Sequence, residues 1–186
     1  MRALTLATMM LVTLPGAART VQADSPAEPT PLEISVQELR DAIGTWNVTT
    51  EFLNPDGSVA NTAEGVYSFE WVVPDRVVSG RTHLPEVQRT AAVLLYVSEA
   101  EEKIEMVSVG DDGKLWIMTG PLGGSTRTTQ PFDTADGGTG QLRFTRYNVA
   151  PDSFESRMEF TTDEGATWAP GNHQVFRRAK ATGTSP

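Results

Sequence analysis

Two histidines, His83 and His173, are the only imidazoles available in this chain for acid–base or ligand chemistry. A histidine beside a bound substrate can act as a general base, and one inside a small barrel can hold a haem iron. Arg81 or Arg146 could hold an anion next to such a base. The alternative is that both histidines lie on the rim or on the surface, where they perform no chemistry. The sequence leaves these alternatives open.

Other chemistry is excluded by composition. The chain has no cysteine, which rules out disulfides, thiolate metal sites and a thiol nucleophile. It also lacks G-x-S-x-G, G-x-G-x-x-G, P-loop and H-E-x-x-H motifs. Lys and Arg number 15 against 24 Asp and Glu, for a net charge of −9, which argues against a nucleic-acid partner. We therefore predict no catalytic residue, no metal site and no cofactor, and the balance of the sequence is against an enzyme.

Large apolar side chains recur at alternate positions and are predicted to share one interior face: Trp46, Tyr67, Phe69, Trp71, Phe144, Met158 and Phe160. Such residues either fill a barrel or line a cavity for one small ligand, and both interpretations remain open. Arg146 follows Phe144 in the same alternation. It is either an anchor for an acidic head group or a sign that the predicted register is wrong by one residue. His83 completes this set of candidate ligand-binding residues.

Residues 1–23 are typical of a secretory signal peptide. A positive start at Met1-Arg2 is followed by an apolar run from Ala3 to Leu14 and a small-x-small site ending at Ala23, with Ala18 as a second possible site. The run of about 12 residues is shorter than the ~20 that span a bilayer, which argues against a membrane anchor. We expect export to the periplasm or beyond, and no membrane-spanning segment.

The rest of the chain is predicted to form one domain at residues 35–179, between a disordered Pro-rich leader at 24–34 and a disordered tail at 180–186. A capping box at Ser35 and Glu38 predicts a helix of two turns at most that stops at Gly44. A helix this short is a plug or a flap on a larger structure.

From Thr45 onward the apolar pattern alternates with a period of two residues, which predicts strands. The predicted strands cover residues 45–52, 64–73, 76–84, 90–98, 103–109, 115–120, 126–132, 141–149, 153–162 and 172–178. No long helix separates any two of them, so an antiparallel meander is expected, and closure would remove its exposed edges. We predict an all-β, up-and-down barrel of 8–10 strands with a short N-terminal helix. An open sandwich is the alternative.

The segment from Thr161 to Trp168 matches the Asp-box pattern T-x-D-x-G-x-T-W. Propellers carry several copies of this motif, whereas this chain has one copy and no repeat period. We predict that Asp163 stabilises a hairpin turn here and has no part in chemistry.

Gly44-Thr45-Trp46, after a short helix, resembles the opening of lipocalin and calycin barrels. The segments Ala150–Phe154, Asp163–Trp168 and Phe176–Arg178 are similar to a lipocalin-like family of unknown function found in bacterial proteins, many of them exported. The resemblance covers roughly residues 39–179. It implies a calycin-like barrel with a central cavity, and no established activity.

The leading hypothesis is thus an exported protein that binds a small hydrophobic or amphipathic molecule in the barrel. The alternatives are an enzyme with a His/Arg site in the same cavity, a haem-binding barrel, and a filled structural barrel. The oligomeric state does not follow from the sequence.

Overall fold

The computed structural model describes residues 27–180. The predicted signal peptide, the first three residues of the predicted leader and the tail from residue 181 lie outside the described residues. Export therefore stays a prediction.

The described chain contains one α-helix, one short 3₁₀ helix and eleven strands. Their bounds are α1 Pro31–Ala42, β1 Gly44–Leu53, β2 Val59–Val73, β3 Val77–Leu84, the 3₁₀ helix Pro85–Val87, β4 Arg89–Ser98, β5 Lys103–Gly110, β6 Leu115–Pro121, β7 Thr126–Thr129, β8 Phe132–Asp133, β9 Thr139–Ala150, β10 Ser153–Thr161 and β11 Ala169–Arg178. The segment predicted as one strand at 126–132 is two strands. Pro131 lies in the gap, and its lack of an N–H group does not suit a sheet.

Ten of the strands form a closed antiparallel ring. Each strand pairs with the next from β1 to β7, β7 pairs with β9, and β9, β10, β11 and β1 complete the circle. β8 adds two residues to one end of β9. The predicted up-and-down barrel is confirmed, and the open sandwich is wrong.

The helix begins at Pro31, earlier than predicted. Thr30 caps it, because Thr30 Oγ1 accepts from the Glu33 amide at 3.2 Å while Glu33 accepts from the Thr30 amide at 2.7 Å. The predicted cap at Ser35 and Glu38 is wrong. Residues 31–34, which the prediction placed in the disordered leader, are helical. Two capping boxes lie five residues apart, and a proline at the first helical position favours the earlier one.

Helix α1 closes one end of the barrel. Val36 and Leu39 are buried against Val78, Val97 and Ile104 of the barrel wall. Full burial of a leucine such as Leu39 contributes about 1.5–3 kcal/mol, so this face holds the helix in place. The helix is the predicted plug, with three turns instead of two.

The loop after β6 holds the start of the helix. The Gly123 amide donates to Ser35 Oγ at 2.8 Å, and Gly123 has a positive φ of 74°. A Cβ at this position would lie 3.0 Å from Pro31 Cα, so both the conformation and the close approach favour glycine. Ser35 therefore docks the helix and does not begin it.

No helix within residues 27–180 is long and apolar enough to cross a membrane.

Candidate ligand-binding cavity

The interior of the barrel holds two adjoining compartments of one candidate cavity. A compartment of about 210 Å³ lies next to α1, and a wider one of about 510 Å³ lies towards the opposite end. The two compartments share five lining residues: Tyr67, Thr82, Ala91, Ser108 and Gln174. The two compartments therefore adjoin, one towards the mouth of the barrel and the other beneath the helix.

The compartment next to α1 is lined mainly by apolar side chains. Those contributed by the strands are Phe69, Val93, Leu95, Met106, Phe144, Phe154, Met158 and Phe176. Among the residues predicted to line a cavity, the structure brings five together on this wall: Tyr67, Phe69, Phe144, Arg146 and Met158.

Three predicted aromatic residues lie elsewhere. Trp46 is buried in the core, where its ring packs edge-on against Phe154 with centroids 5.0 Å apart. Trp71 packs against the cluster under the helix. Phe160 is placed near the start of β9, with its ring centroid 6.5 Å from that of Phe132. Their inward positions support the barrel, but none of them contacts the cavity.

His83 lies on the outer face of β3 and is exposed, so the prediction that it lines the cavity is wrong. Its Nδ1 atom is 3.0 Å from Thr90 Oγ1. Alternate residues of a strand point to opposite faces, and in β3 the inward positions are occupied by Val78, Thr82 and Leu84.

His173 also lies outside the barrel, between two carboxylates. Its Nδ1 is 3.0 Å from Glu51 Oε2, and its Nε2 is 2.8 Å from Glu155 Oε2. Partial burial acts to lower the pKa of His173, but the hydrogen bonds to both carboxylates outweigh it and raise that pKa above its ordinary value. No histidine within residues 27–180 lines the cavity. The alternatives of a His/Arg enzyme and of a histidine-ligated haem both required one there.

A belt of polar groups crosses the cavity where its two compartments meet. Gln174 Nε2 donates to Thr50 Oγ1 at 3.0 Å and to the Tyr67 hydroxyl at 2.9 Å, and Gln174 Oε1 accepts from Ser156 at 3.3 Å. Burial raises the pKa of Tyr67, which keeps the phenol neutral. The hydroxyl and amide groups of this belt interrupt an otherwise apolar lining.

Two arginines lie at the closed end of the cavity, facing carboxylates of the helix. Arg127 Nη2 is 2.7 Å from Glu38 Oε1, and Arg146 Nη2 is 3.7 Å from Asp41 Oδ2. Both guanidinium groups are almost completely buried. Burial lowers the pKa of Arg146, and Glu38 and Asp41 oppose that effect, so the group remains a cation at neutral pH.

Arg146 shares the inward face with Phe144, as the sequence predicted. The pairing of Met158 with Phe144 and of Ser156 with Arg146 keeps β9 and β10 in register here, so the alternative of a register error at this point is excluded. Its guanidinium also lies over the ring of Phe154, with Cζ 4.6 Å from the ring centroid.

The fold can now be compared with known proteins. No family model and no curated protein matches the sequence. Rv2717c from M. tuberculosis is 16% identical with a TM-score of 0.51, over 78% of this chain and 98% of that one. A DUF3598 protein of unknown function from Nostoc punctiforme is 13% identical with a TM-score of 0.47, over 76% of this chain and 49% of that one, so this chain spans about half its length. An S-type phycobiliprotein lyase from Guillardia theta is 13% identical with a TM-score of 0.47, over 82% and 99%.

Similarity at these identities shows the fold alone. The fold class follows from the closed ring of ten antiparallel strands with one short helix. The protein is a calycin-like barrel.

Several residues of the calycin-like barrel's cavity, among them Gln174 and Arg127, were not predicted from the sequence, and Arg127 was the hardest to find. Arg127 lies in a four-residue strand of sequence TRTT, in which no apolar alternation marks the inward side. Its inward position follows from pairing with Phe144 across β7 and β9. The only available signal was a charged residue flanked by threonines, which is equally typical of an exposed strand.

Proposed function

We propose that this calycin-like barrel binds a small hydrophobic or amphipathic molecule in its central cavity. The observation that carries the proposal is the space inside the barrel between the mouth and α1, where two adjoining compartments are lined by apolar side chains and few polar groups. Ligand sites in proteins have this composition, because apolar area supplies affinity while a few polar groups orient the ligand. A filled structural barrel would not contain such a space.

The charged closed end of the cavity favours an amphipathic ligand over a purely hydrophobic one. Arg127 and Arg146 place two positive charges at the closed end of the cavity. A hydrocarbon would cover these groups without bonding them, at a cost in free energy. A ligand with a polar head and an apolar body avoids that cost.

Ala91 provides the test, because it lines both compartments at their junction. An Ala91→Phe variant places a ring in the passage and is expected to abolish binding of the neutral dye N-phenyl-1-naphthylamine, measured by fluorescence titration. Ala92→Phe is the matched control, since Ala92 is the next residue of β4 and is exposed on the outer face. If both variants bind the dye as the wild type does, the barrel interior is not the binding site.

We also propose that the barrel acts outside the cytoplasm, on the strength of the signal-peptide pattern in residues 1–23. Expression of the full chain in a bacterial host, followed by fractionation and intact-mass measurement, tests this. The expected product is periplasmic or secreted and begins at Asp24. A full-length product in the cytoplasm would contradict the proposal.

A further inference from the structure

Arg127 lines the closed end of the cavity and has two buried hydrogen-bond donors that are unused within residues 27–180. The residue is 1% exposed, and neither Nε nor Nη2 makes a hydrogen bond to any acceptor within residues 27–180. Nη2 lies close to Glu38 Oε1, but the approach does not have the direction of a hydrogen bond. Glu38 therefore balances the charge of the guanidinium without satisfying its donors. Buried donors without acceptors are rare in proteins and call for an explanation.

The chain itself shows what this edge of a guanidinium binds. Arg40 Nε and Nη2 donate to the two carboxylate oxygens of Asp75, each at 2.8 Å. The two N–H groups on this edge are parallel and match the two oxygens of a carboxylate. Arg127 has the same edge unused within the described residues, at a buried position where such a bond is stronger than at the surface.

We propose that the Nε/Nη2 edge of Arg127 is the head-group subsite for an amphipathic ligand with an anionic carboxylate or sulfonate head. This inference rests on the binding function proposed above and names its ligand class. The head group replaces Glu38 at the guanidinium, and the apolar part of the ligand lies among side chains such as Phe144 and Met158. Arg146, at the same end of the cavity, adds a second positive charge.

The Glu38 side chain has space to move away from Arg127. Its side chain is 18% exposed, and it borders both the cavity and an outer groove of about 550 Å³ between α1, the loop after β6 and β9. The carboxylate can turn into this groove when a ligand anion takes its place. Glu38 is thus a competitor for the subsite as well as its counter-ion.

Two dyes with the same N-phenylnaphthylamine skeleton separate the subsite from the rest of the cavity. 8-Anilinonaphthalene-1-sulfonate carries an anionic head, and N-phenyl-1-naphthylamine is neutral. In a Glu38→Gln variant, we expect the Kd of the sulfonate dye to fall several-fold and that of the neutral dye to stay constant. Glu70→Gln is the matched control, because it removes one negative charge from the exposed outer face of β2.

The double variant Arg127→Met, Glu38→Gln removes the subsite while it keeps the charge balanced at the closed end. We expect the Kd of the sulfonate dye to rise about tenfold or more, the usual effect of losing charge-assisted hydrogen bonds. The Kd of the neutral dye should not change. If circular dichroism shows that the double variant does not fold, the Glu38→Gln result alone decides whether Arg127 is the head-group subsite.

The outcomes distinguish the two proposals. If Glu38→Gln weakens the sulfonate dye or leaves it unchanged, or if the folded double variant affects both dyes equally, the subsite on Arg127 is wrong and the cavity proposal stands. If neither dye binds the wild type, or if Ala91→Phe leaves the neutral dye bound, the cavity proposal fails and the subsite fails with it.

Discussion

The guanidinium of Arg178 lies over the indole ring of Trp46, with Cζ 4.2 Å from the ring centroid. The same group donates through Nη1 to the Ile43 carbonyl at 2.7 Å and through Nη2 to the Asp41 carbonyl at 3.1 Å. The end of the last strand is thereby joined to the end of the helix and to the start of the first strand.

This contact predicts a large effect of Arg178→Met on stability. The variant loses the cation–π contact and leaves two carbonyl groups at the helix end without their donors. We expect the free energy of unfolding to fall by about 1–3 kcal/mol, measured by urea denaturation. Arg177→Met is the control, because Arg177 is exposed and next in sequence. Equal losses for the two variants would show that Arg178 has no special role.

The buried face of the helix predicts a second stability effect. Leu39 lies on the inner face of α1 and is completely buried, whereas Ile34 of the same helix is 43% exposed. Leu39→Ala should cost about 2–5 kcal/mol, since it leaves a cavity between the helix and the barrel wall. Ile34→Ala should cost less than about 0.5 kcal/mol. Thermal melts of both variants test this, and a tolerated Leu39→Ala would mean that the plug contributes little to the folded state.

His173 predicts a pH dependence of stability. Its pKa is raised in the folded protein, so protonation stabilises the fold. This contribution is fully present below the unfolded pKa of about 6.5 and is lost as the pH rises through the folded pKa. The difference in unfolding free energy between wild type and His173→Gln should therefore be larger at pH 6 than at pH 9. A difference that is constant across this range would contradict the ion pairs with Glu51 and Glu155.

Asp163 predicts a pH dependence of opposite sign. Hydrogen bonds from the Thr161 and Thr167 side chains lower the pKa of Asp163 to about 2. Its stabilising contribution is present above the unfolded pKa and is lost as the pH falls through about 2.

We expect Asp163→Ala to lower the Tm at pH 7, with a smaller difference from wild type at pH 2.5, and to leave dye binding unchanged. Thr162→Ala, at the exposed neighbouring position, is the control. A loss of dye binding in folded Asp163→Ala would show that this turn does more than stabilise the barrel.

The sequence was informative where the pattern of apolar residues was regular. In β9 and β10 the alternation placed Phe144, Arg146 and Met158 on the inward face, and the structure agrees. The capping-box pattern at Ser35 and Glu38 placed the start of α1 too late, because the structure caps the helix at Thr30. It also failed for Arg127, because a four-residue strand of polar residues carries no apolar period, and its inward position depends on pairing with β9.

The histidines show a different limit. His83 and Arg81 lie on the same face of β3, and no feature of the sequence shows that this face is the outer one. Which face of a strand is buried depends on the neighbours supplied by the whole ring, and here Val78 and Leu84 are the buried residues.

Closure of the ring restricts how a protein partner could bind. Each of the ten strands of the ring, all within residues 27–180, has a neighbour on both sides, and only the two-residue strand Phe132–Asp133 is paired on one side alone. Recognition by addition of a partner's β-strand needs a free row of backbone N–H and carbonyl groups. Within the described barrel such rows occur only where one strand extends past its neighbour, as residues 59–65 of β2 do by pairing with β1 and not with β3, so strand addition would be confined to overhangs of this kind.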